Sequence, residues 1–155
     1  MNDKHKEKLR YDRAARNWFE NNPTHDFGHA SEIIYLNTPY IVFENHIKRV
    51  AGPNKKILEL GSGSGKYTFP LLQTGANVIA TDISHESLMV LKKRMEASYY
   101  FDKLKVQVAD MEDIPFEDNQ FDIVTIAGSL SYGDSKIVDK EIFRVLKEDG
   151  YFICV

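Results

Sequence analysis

The chain has 155 residues, the length of a single domain, since domains usually contain roughly 100 to 200 residues. Its composition, 43% apolar and 28% charged with a net charge of −3, is typical of a folded globular protein and excludes a disordered or collagen-like chain. The one cysteine, Cys154, excludes a disulfide scaffold, and no apolar run is long enough for a signal peptide or a membrane span. We therefore expect a cytoplasmic protein that binds no membrane, and the lack of a basic excess argues against nucleic acid as a partner.

The first 52 residues predict two helices separated by a loop. Apolar residues at helical spacing indicate an amphipathic helix from about Arg10 to Glu20, and the turn-forming run 21–29 that follows predicts a loop. The second helix is predicted to begin with Thr38 as its N-cap and Pro39 at its first position, and to end before a Gly-Pro pair.

After this helical segment, short apolar strands alternate with helical patterns. Strands are predicted at 56–60, 77–82, 105–110, 121–127 and 151–155. Between them lie a helix after the glycine-rich loop 61–65, a helix capped by Ser84, and a helix between Asp134 and Lys147. The alternation predicts an α/β fold, a three-layer αβα sandwich with a Rossmann-like, mostly parallel sheet that ends after strand five. Ligands of such sheets bind beyond the carboxyl ends of the strands.

The loop 61–65 after the first strand is the most specific local signal. It is not a phosphate-binding Walker A loop, because Leu60 stands at the first glycine position and Tyr67 replaces the required Ser or Thr. A dinucleotide fingerprint finds its first two glycines, but Lys66 occupies the third position. The pattern as it stands is an acid, Glu59, followed by three alternating glycines.

This pattern resembles motif I of the class I S-adenosylmethionine-dependent methyltransferases of the small-molecule type. Further motifs extend the resemblance over about 57–155: acids at the ends of the second and third strands, and the segments 114–116, 121–124 and 146–150. The string Tyr11-Asp12-x-x-Ala15 is similar to the N-terminal helix that closes over the cofactor in many relatives. The resemblance thus implies a helical lid in residues 1–52 and a cofactor-binding core in 53–155, within one structural domain.

The resemblance also implies S-adenosylmethionine as the cofactor and S-adenosylhomocysteine as its product. Asp82 would accept hydrogen bonds from the ribose hydroxyls, Asp110 would accept one from the adenine amino group, and Glu59 would bind the ammonium group. Ile83 would pack on the adenine and the Met111 N–H would donate to it. The expected cofactor-binding set is Tyr11, Glu59, Gly61, Ser62, Gly63, Gly65, Asp82, Ile83, Asp110, Met111 and Ser129.

The implied activity is in-line transfer of a methyl group to a small-molecule or saccharide-type acceptor. Because the leaving group departs neutral, orienting the two reactants suffices and no acid or base is required. The candidates for a base, should the acceptor need one, are His25, His29 and Tyr132. No group of residues has metal-ligand spacing, so no metal is expected.

Two other functions and one partner stay open at this stage. The alternatives are a non-catalytic S-adenosylmethionine-binding or interaction module and, less favoured, an NAD-dependent oxidoreductase. A sheet that ends with the apolar strand 151–155 exposes an edge that invites pairing. We therefore expect either a truncated form of a longer protein or a homodimer in which a second subunit covers this edge.

Overall fold

The computed structural model describes the backbone of residues 3–21 and 34–155, and the side chains of 4–17 and 38–155. The strands of the described chain are β1 (Lys56–Leu60), β2 (Asn77–Asp82), β3 (Leu104–Val108), β4 (Phe121–Ile126) and β5 (Leu146–Cys154). They form one sheet in the order β3-β2-β1-β4-β5, and every neighbouring pair is parallel. The strand order reverses between β1 and β4, which is where ligands bind in sheets of this kind.

The helices occupy both faces of this sheet. Their bounds are α1 (Asp3–Asn21), α2 (Ile34–Val50), α3 (Thr68–Gln73), α4 (His85–Met95) and α5 (Ser135–Val145). Ile57 of β1 packs in a buried cluster with residues of α2, α3 and α4, whereas its neighbour Leu58 packs in a second cluster with residues of α5. Successive side chains of a strand point to opposite faces, so both faces are buried. The predicted three-layer αβα sandwich is confirmed.

Local signals in the core segment were accurate. The strands β1 and β2 have the predicted bounds, and the Ser84 hydroxyl accepts a 3.0 Å hydrogen bond from the Ser87 N–H as the N-cap of α4. Asp134 caps α5 in the same way, accepting from the Lys136 N–H at 3.0 Å. Capping satisfies amide groups that have no partner inside the helix.

Both N-terminal helices begin earlier than predicted. Helix α1 starts at Asp3 and not near Arg10, because its polar first turn is held by an ion pair between Lys4 and an acid far along the chain. Helix α2 starts at Ile34, so Pro39 lies inside it and the prediction of Thr38 as N-cap is wrong. An internal proline removes one helical hydrogen bond, and tertiary packing of the later turns outweighs that loss. Most of the predicted loop 21–29 lies outside the described residues.

The strands β3, β4 and β5 have bounds that differ from the prediction, most of all at the end of β3 and the start of β5. β3 ends at Val108, so Asp110 lies in the turn after the strand. β5 begins at Leu146, since the chain joins the sheet as soon as α5 ends. Phe121 pairs with Leu146 and Ile123 pairs with Tyr151, so the register shifts and 147–150 bulge out of the ladder. The residues 146–150, which precede the predicted strand 151–155, are therefore part of a longer, irregular strand.

Candidate functional site

A cavity of about 730 Å³ lies at the carboxyl ends of β1 to β4. Its lining comes from the ends of these strands and the loops that follow them, from the first turns of α4 and from one side of α1. The predicted cofactor residues that line it are Tyr11, Gly61, Ser62, Gly63, Asp82, Ile83, Asp110, Met111 and Ser129. Side chains predicted from separate motifs along the sequence therefore converge on one space. Glu59 and Gly65, the other two residues of the predicted set, do not line it.

The loop 61–65 has a left-handed backbone at each of its three glycines. Gly61 has φ +66°, and a Cβ there would lie 2.1 Å from Ser129 Oγ, so only glycine allows this loop to pack against the loop after β4. Gly63 has φ +53° with open space where a Cβ would be, which leaves the cavity unfilled. At Gly65 a Cβ would lie 2.8 Å from Leu91 Cγ. Gly65 thus serves the packing of the loop on α4.

Asp82 at the end of β2 holds the glycine loop in place. Its Oδ2 accepts a 2.8 Å hydrogen bond from the Gly63 N–H and its Oδ1 accepts one of 2.8 Å from the Ser84 N–H. Burial raises the pKa of Asp82, while these backbone donors act in the opposite direction. A carboxylate has about four acceptor positions. Asp82 therefore keeps acceptor capacity for hydroxyl groups placed in the cavity.

Glu59 lies behind the cavity wall, where its side chain is buried. Its Oε2 accepts a 2.6 Å hydrogen bond from Thr68 Oγ1. Burial raises the pKa of Glu59 to about 7, and the hydrogen bond from Thr68 opposes this rise. Near neutral pH the carboxyl group is therefore poised between its two protonation states, and a cation brought close to it would favour the charged one.

Helix α1 is held over the cavity by contacts with the loops after three different strands. In the loop after β2, Ser84 Oγ donates a buried 2.6 Å hydrogen bond to Asp12 Oδ1 of α1. Tyr11 donates a 3.0 Å hydrogen bond to the Tyr132 hydroxyl in the loop after β4, and burial raises the pKa of Tyr11 to about 12. The third contact lies after β3, at Asp110. The helix therefore covers the space that the strand ends surround.

The third contact involves Lys4, which the sequence analysis did not single out. Its Nζ lies 2.8 Å from Asp110 Oδ2 and also pairs with Glu112. Asp110 Oδ1 accepts a 3.0 Å hydrogen bond from the Glu112 N–H. One oxygen of Asp110 is therefore already engaged by a cation of the covering helix. No local sequence signal could have found this pair, whose members are 106 residues apart.

Lys66 and Tyr67 line the cavity next to the loop after β4, and Tyr40 of α2 packs against both of them. The rings of Tyr40 and Tyr67 stack with centroids 5.0 Å apart and planes 10° apart. Lys66 Nζ lies 5.0 Å from the first centroid and 4.8 Å from the second, within the range of cation–π attraction. The Tyr40 hydroxyl lies 3.5 Å from where a Cβ of Gly128 would be. In the sequence, Lys66 was notable only because it replaces the third glycine of a dinucleotide fingerprint, and it was not predicted as a site residue.

The structure describes one of the three candidate bases. Tyr132 lines the cavity, is 42% exposed and accepts the hydrogen bond from Tyr11. His25 and His29 lie outside the described residues. Within 3–21 and 34–155, no three His, Cys, Asp or Glu residues are grouped closely enough to hold a metal ion. None of the helices described has the length and apolar character to cross a membrane.

Comparison with known sequences identifies the family. Residues 58–154 match the family described as methyltransferase domain. The chain belongs to this family. This confirms the predicted class I S-adenosylmethionine-dependent methyltransferase family and its cofactor.

Two curated relatives and two solved structures illustrate the likeness. The chain is 38% identical over 119 residues to the ubiquinone/menaquinone biosynthesis C-methyltransferase UbiE of Rickettsia bellii, covering 72% of this chain and 48% of that protein. For UbiE of Geotalea daltonii the identity is 35% over 106 residues, covering 63% of this chain and 43% of that one. The chain therefore spans about half the length of the curated relatives it matches.

The structural neighbours agree on the fold. Geranyl diphosphate C-methyltransferase from Streptomyces coelicolor, solved with Mg²⁺, geranyl diphosphate and S-adenosylhomocysteine, superposes with a TM-score of 0.71 at 20% identity, over 93% of this chain and 64% of that one. The YcgJ protein from Bacillus subtilis gives a TM-score of 0.67 at 24% identity, over 74% of this chain and 50% of that one. The Rossmann-like α/β fold is thereby confirmed.

The residues of the cavity fit the cofactor of this family. Ser62 Oγ, in the cavity wall, is buried and has no hydrogen-bond partner among the described residues, so it offers an unused polar group. The open space beside Gly63 allows a ligand to approach the backbone. Asp82 supplies free acceptor positions at the end of β2. The wall thus combines small residues with a few placed polar groups, as ligand pockets do.

Proposed function

We propose that this chain binds S-adenosylmethionine in the cavity and transfers its methyl group in line to a small-molecule acceptor. The observation that carries the proposal is the convergence of the glycine loop, Asp82 and Asp110 on one cavity beneath α1. When bound, the cofactor supplies a methyl group on a sulfonium. The methyl–sulfur bond breaks as the bond to the acceptor forms, and S-adenosylhomocysteine leaves as a neutral thioether.

The residues of the chain would bind and orient the reactants. Asp82 would accept hydrogen bonds from the ribose hydroxyls, with Ile83 beside the adenine. Asp110, whose Oδ2 faces Lys4, would accept the adenine amino hydrogen bond, and Met111 would donate its N–H to the ring. Glu59, which lies behind the wall, would attract the ammonium group by its charge and not by direct contact. Fixing reactants at contact distance can remove several kcal/mol of the barrier, so no further catalytic group is needed for a nucleophilic acceptor.

Residues 1–52 are proposed to act as the lid and 53–155 as the core. Support comes from α1, whose Lys4, Tyr11 and Asp12 each contact a loop beyond a different strand. A covered cavity excludes water and strengthens electrostatic contacts within it. If α1 is the lid, loosening it should weaken cofactor binding without altering the sheet.

For the acceptor, we propose a small molecule methylated at carbon. Both curated relatives described above are named as C-methyltransferases of ubiquinone/menaquinone biosynthesis, which favours a quinol-type compound over a saccharide. Tyr132 is the described candidate for a base, since its hydroxyl borders the cavity. Incubation with labelled S-adenosylmethionine and a panel of hydroquinones, phenols and sugars tests this choice. Transfer to sugars alone would contradict it.

Calorimetry distinguishes the proposed function from its alternatives. We expect S-adenosylhomocysteine to bind in the micromolar range and NAD not to bind. Binding of NAD instead would support an oxidoreductase, and cofactor binding with no transfer to any acceptor would support the non-catalytic module. The Asp82→Asn variant serves as the matched control for binding in this cavity, because it keeps the shape of the Asp82 side chain and removes its charge.

A homodimer is proposed for the edge at β5. Within the described residues β5 pairs only with β4, and Tyr151 and Phe152 of β5 are 51% and 38% exposed. An open strand edge with apolar side chains favours pairing with another chain. Light scattering at micromolar concentration tests this, and a monomer would contradict it. Cytoplasmic location stays a prediction of the sequence.

A further inference from the structure

The charges of the cavity wall are distributed unevenly. The acids Asp82, at the end of β2, and Asp110, after β3, lie on one side of the switch point. Lys66 follows β1 and contacts Tyr40, which abuts the loop after β4. An adenosyl group held by the acids would therefore extend toward Lys66. The end near Lys66 is left for the amino-acid part of the cofactor and for the acceptor.

The two lysines of the wall differ in their partners. Lys4 pairs with Asp110 and Glu112. In the part of the chain that the structure describes, no carboxylate lies within 4 Å of Lys66 Nζ, which instead lies over the rings of Tyr40 and Tyr67. Burial lowers the pKa of Lys66, and Glu44 partly offsets this. Lys66 is thus a cation of the cavity that is positioned by aromatic faces and not by a direct ion pair, with Glu44 acting on it only from a distance.

We propose that Lys66, held over Tyr40 and Tyr67, is an anion-binding residue of the cavity and takes an oxygen anion there. The inference rests on the proposed function, because the anion belongs to one of the two proposed reactants. It is either the carboxylate of the cofactor's amino-acid part or an ionised oxygen of the acceptor. An ammonium group can donate three hydrogen bonds, and the ring contacts need none of them.

The two tyrosine rings fix the position of the Lys66 ammonium group. A lysine side chain on the surface samples many rotamers, and fixing it costs entropy whenever it binds a ligand. Cation–π contacts with two stacked rings reduce that cost in advance, because they already hold Nζ beside the cavity.

The cofactor side of the proposal is tested by calorimetry with two nucleosides. S-adenosylhomocysteine carries the carboxylate, and 5′-methylthioadenosine lacks the whole amino-acid part. If the anion is the cofactor's carboxylate, Lys66→Met weakens S-adenosylhomocysteine about three- to tenfold and leaves 5′-methylthioadenosine unchanged. This range reflects a solvent-screened ion pair. Lys66→Arg should keep most of the affinity, and Lys92→Met on α4 is the matched control for loss of an exposed lysine.

The acceptor side is tested on protein saturated with S-adenosylhomocysteine. The probes are 4-hydroxybenzoate and its neutral analogue 4-hydroxybenzamide. If the anion belongs to the acceptor, Lys66→Met weakens 4-hydroxybenzoate selectively, and the difference shrinks in 0.5 M salt because exposed charges are screened. Tyr40→Phe and Tyr67→Phe, which keep the rings, should leave the selectivity for the anion in place, whereas Tyr67→Leu should reduce it.

Each outcome decides a different claim. Failure of the wild-type chain to bind S-adenosylhomocysteine would refute the proposed function. If the wild type binds S-adenosylhomocysteine and Lys66→Met binds every probe with the same affinity as the wild type, the anion site is refuted and the proposed function stands. The same holds if 4-hydroxybenzoate does not bind and the ratio of the two nucleoside affinities is unchanged in Lys66→Met. Thermal unfolding of each variant shows that a loss of affinity does not come from a loss of fold.

Discussion

The hydrogen bond between Asp12 and Ser84 should hold the lid closed, and its strength can be worked from the structure. Ser84 Oγ donates to Asp12 Oδ1 at 2.6 Å, and both residues are at most 7% exposed. A buried hydrogen bond to a charged group contributes about 1.5 to 3 kcal/mol. Ser84→Ala also removes the N-cap of α4, which adds about 1 kcal/mol. Asp12→Ala removes this hydrogen bond and the partly exposed ion pair of Asp12 with Lys8.

A double-mutant cycle isolates this contact. We expect urea unfolding followed by circular dichroism to give a coupling of about 1.5 to 3 kcal/mol between Asp12→Ala and Ser84→Ala. Lys8→Met is the control, since Lys8 Nζ lies 3.6 Å from the other oxygen of Asp12 in a partly exposed ion pair that contributes under about 0.5 kcal/mol.

Cofactor affinity provides a second measurement of the same contact. If α1 covers the cavity, Asp12→Ala should weaken S-adenosylhomocysteine binding, and the loss cannot exceed the energy of the contact, roughly 10- to 100-fold. A coupling below about 0.5 kcal/mol, together with unchanged affinity, would show that α1 does not depend on Ser84 to stay closed.

Three further perturbations test the site. Asp82→Asn removes the charge and one of two backbone hydrogen bonds, so calorimetry should show S-adenosylhomocysteine binding weakened by about 1 to 3 kcal/mol; unchanged affinity would exclude Asp82 from the site. Glu59 has a folded-state pKa of about 7 against an ordinary 4.5, so the folded chain binds the extra proton and stability should fall as pH rises through this window. The fall is on the order of 3 kcal/mol, and Glu59→Gln should abolish it in urea unfolding at pH 5 and 8; an equal pH slope in the variant would contradict this. Gly61→Ala should lower the free energy of unfolding by about 1 to 3 kcal/mol more than Gly63→Ala, because both have positive φ but only the first meets Ser129; equal losses would mean that the clash is relieved.

Helix α1, the proposed lid, shows where sequence reasoning reached its limit. The apolar spacing of Tyr11 and Ala15 predicted a helix, and the helix is present, but its first two turns carry no apolar pattern. Their position depends on Lys4 and its acid partners after β3, which are adjacent only after the sheet forms. Likewise, Pro39 is an ordinary signal for a helix start, yet α2 continues through it because its later turns are buried.

The glycine loop, in contrast, could be recognised from the sequence. Its spacing was sufficient to indicate the family, but not the separate task of each glycine. Gly61 makes room for Ser129, Gly65 makes room for Leu91, and Gly63 leaves space in the cavity. The neighbours that decide these tasks come from other loops, so the tasks were not visible in the motif.

The sequence by itself determined the alternation of strands and helices, the order of the motifs and the family, because hydrophobic period, turn residues and caps act over a few residues. Only the tertiary structure decided which groups meet across long separations. In the folded chain Lys4 contacts Asp110 and Asp12 contacts Ser84. Glu59 lies behind the cavity wall, and Lys66 lies over two tyrosine rings. Such contacts depend on where the strand ends lie in the folded sheet, which no local pattern specifies.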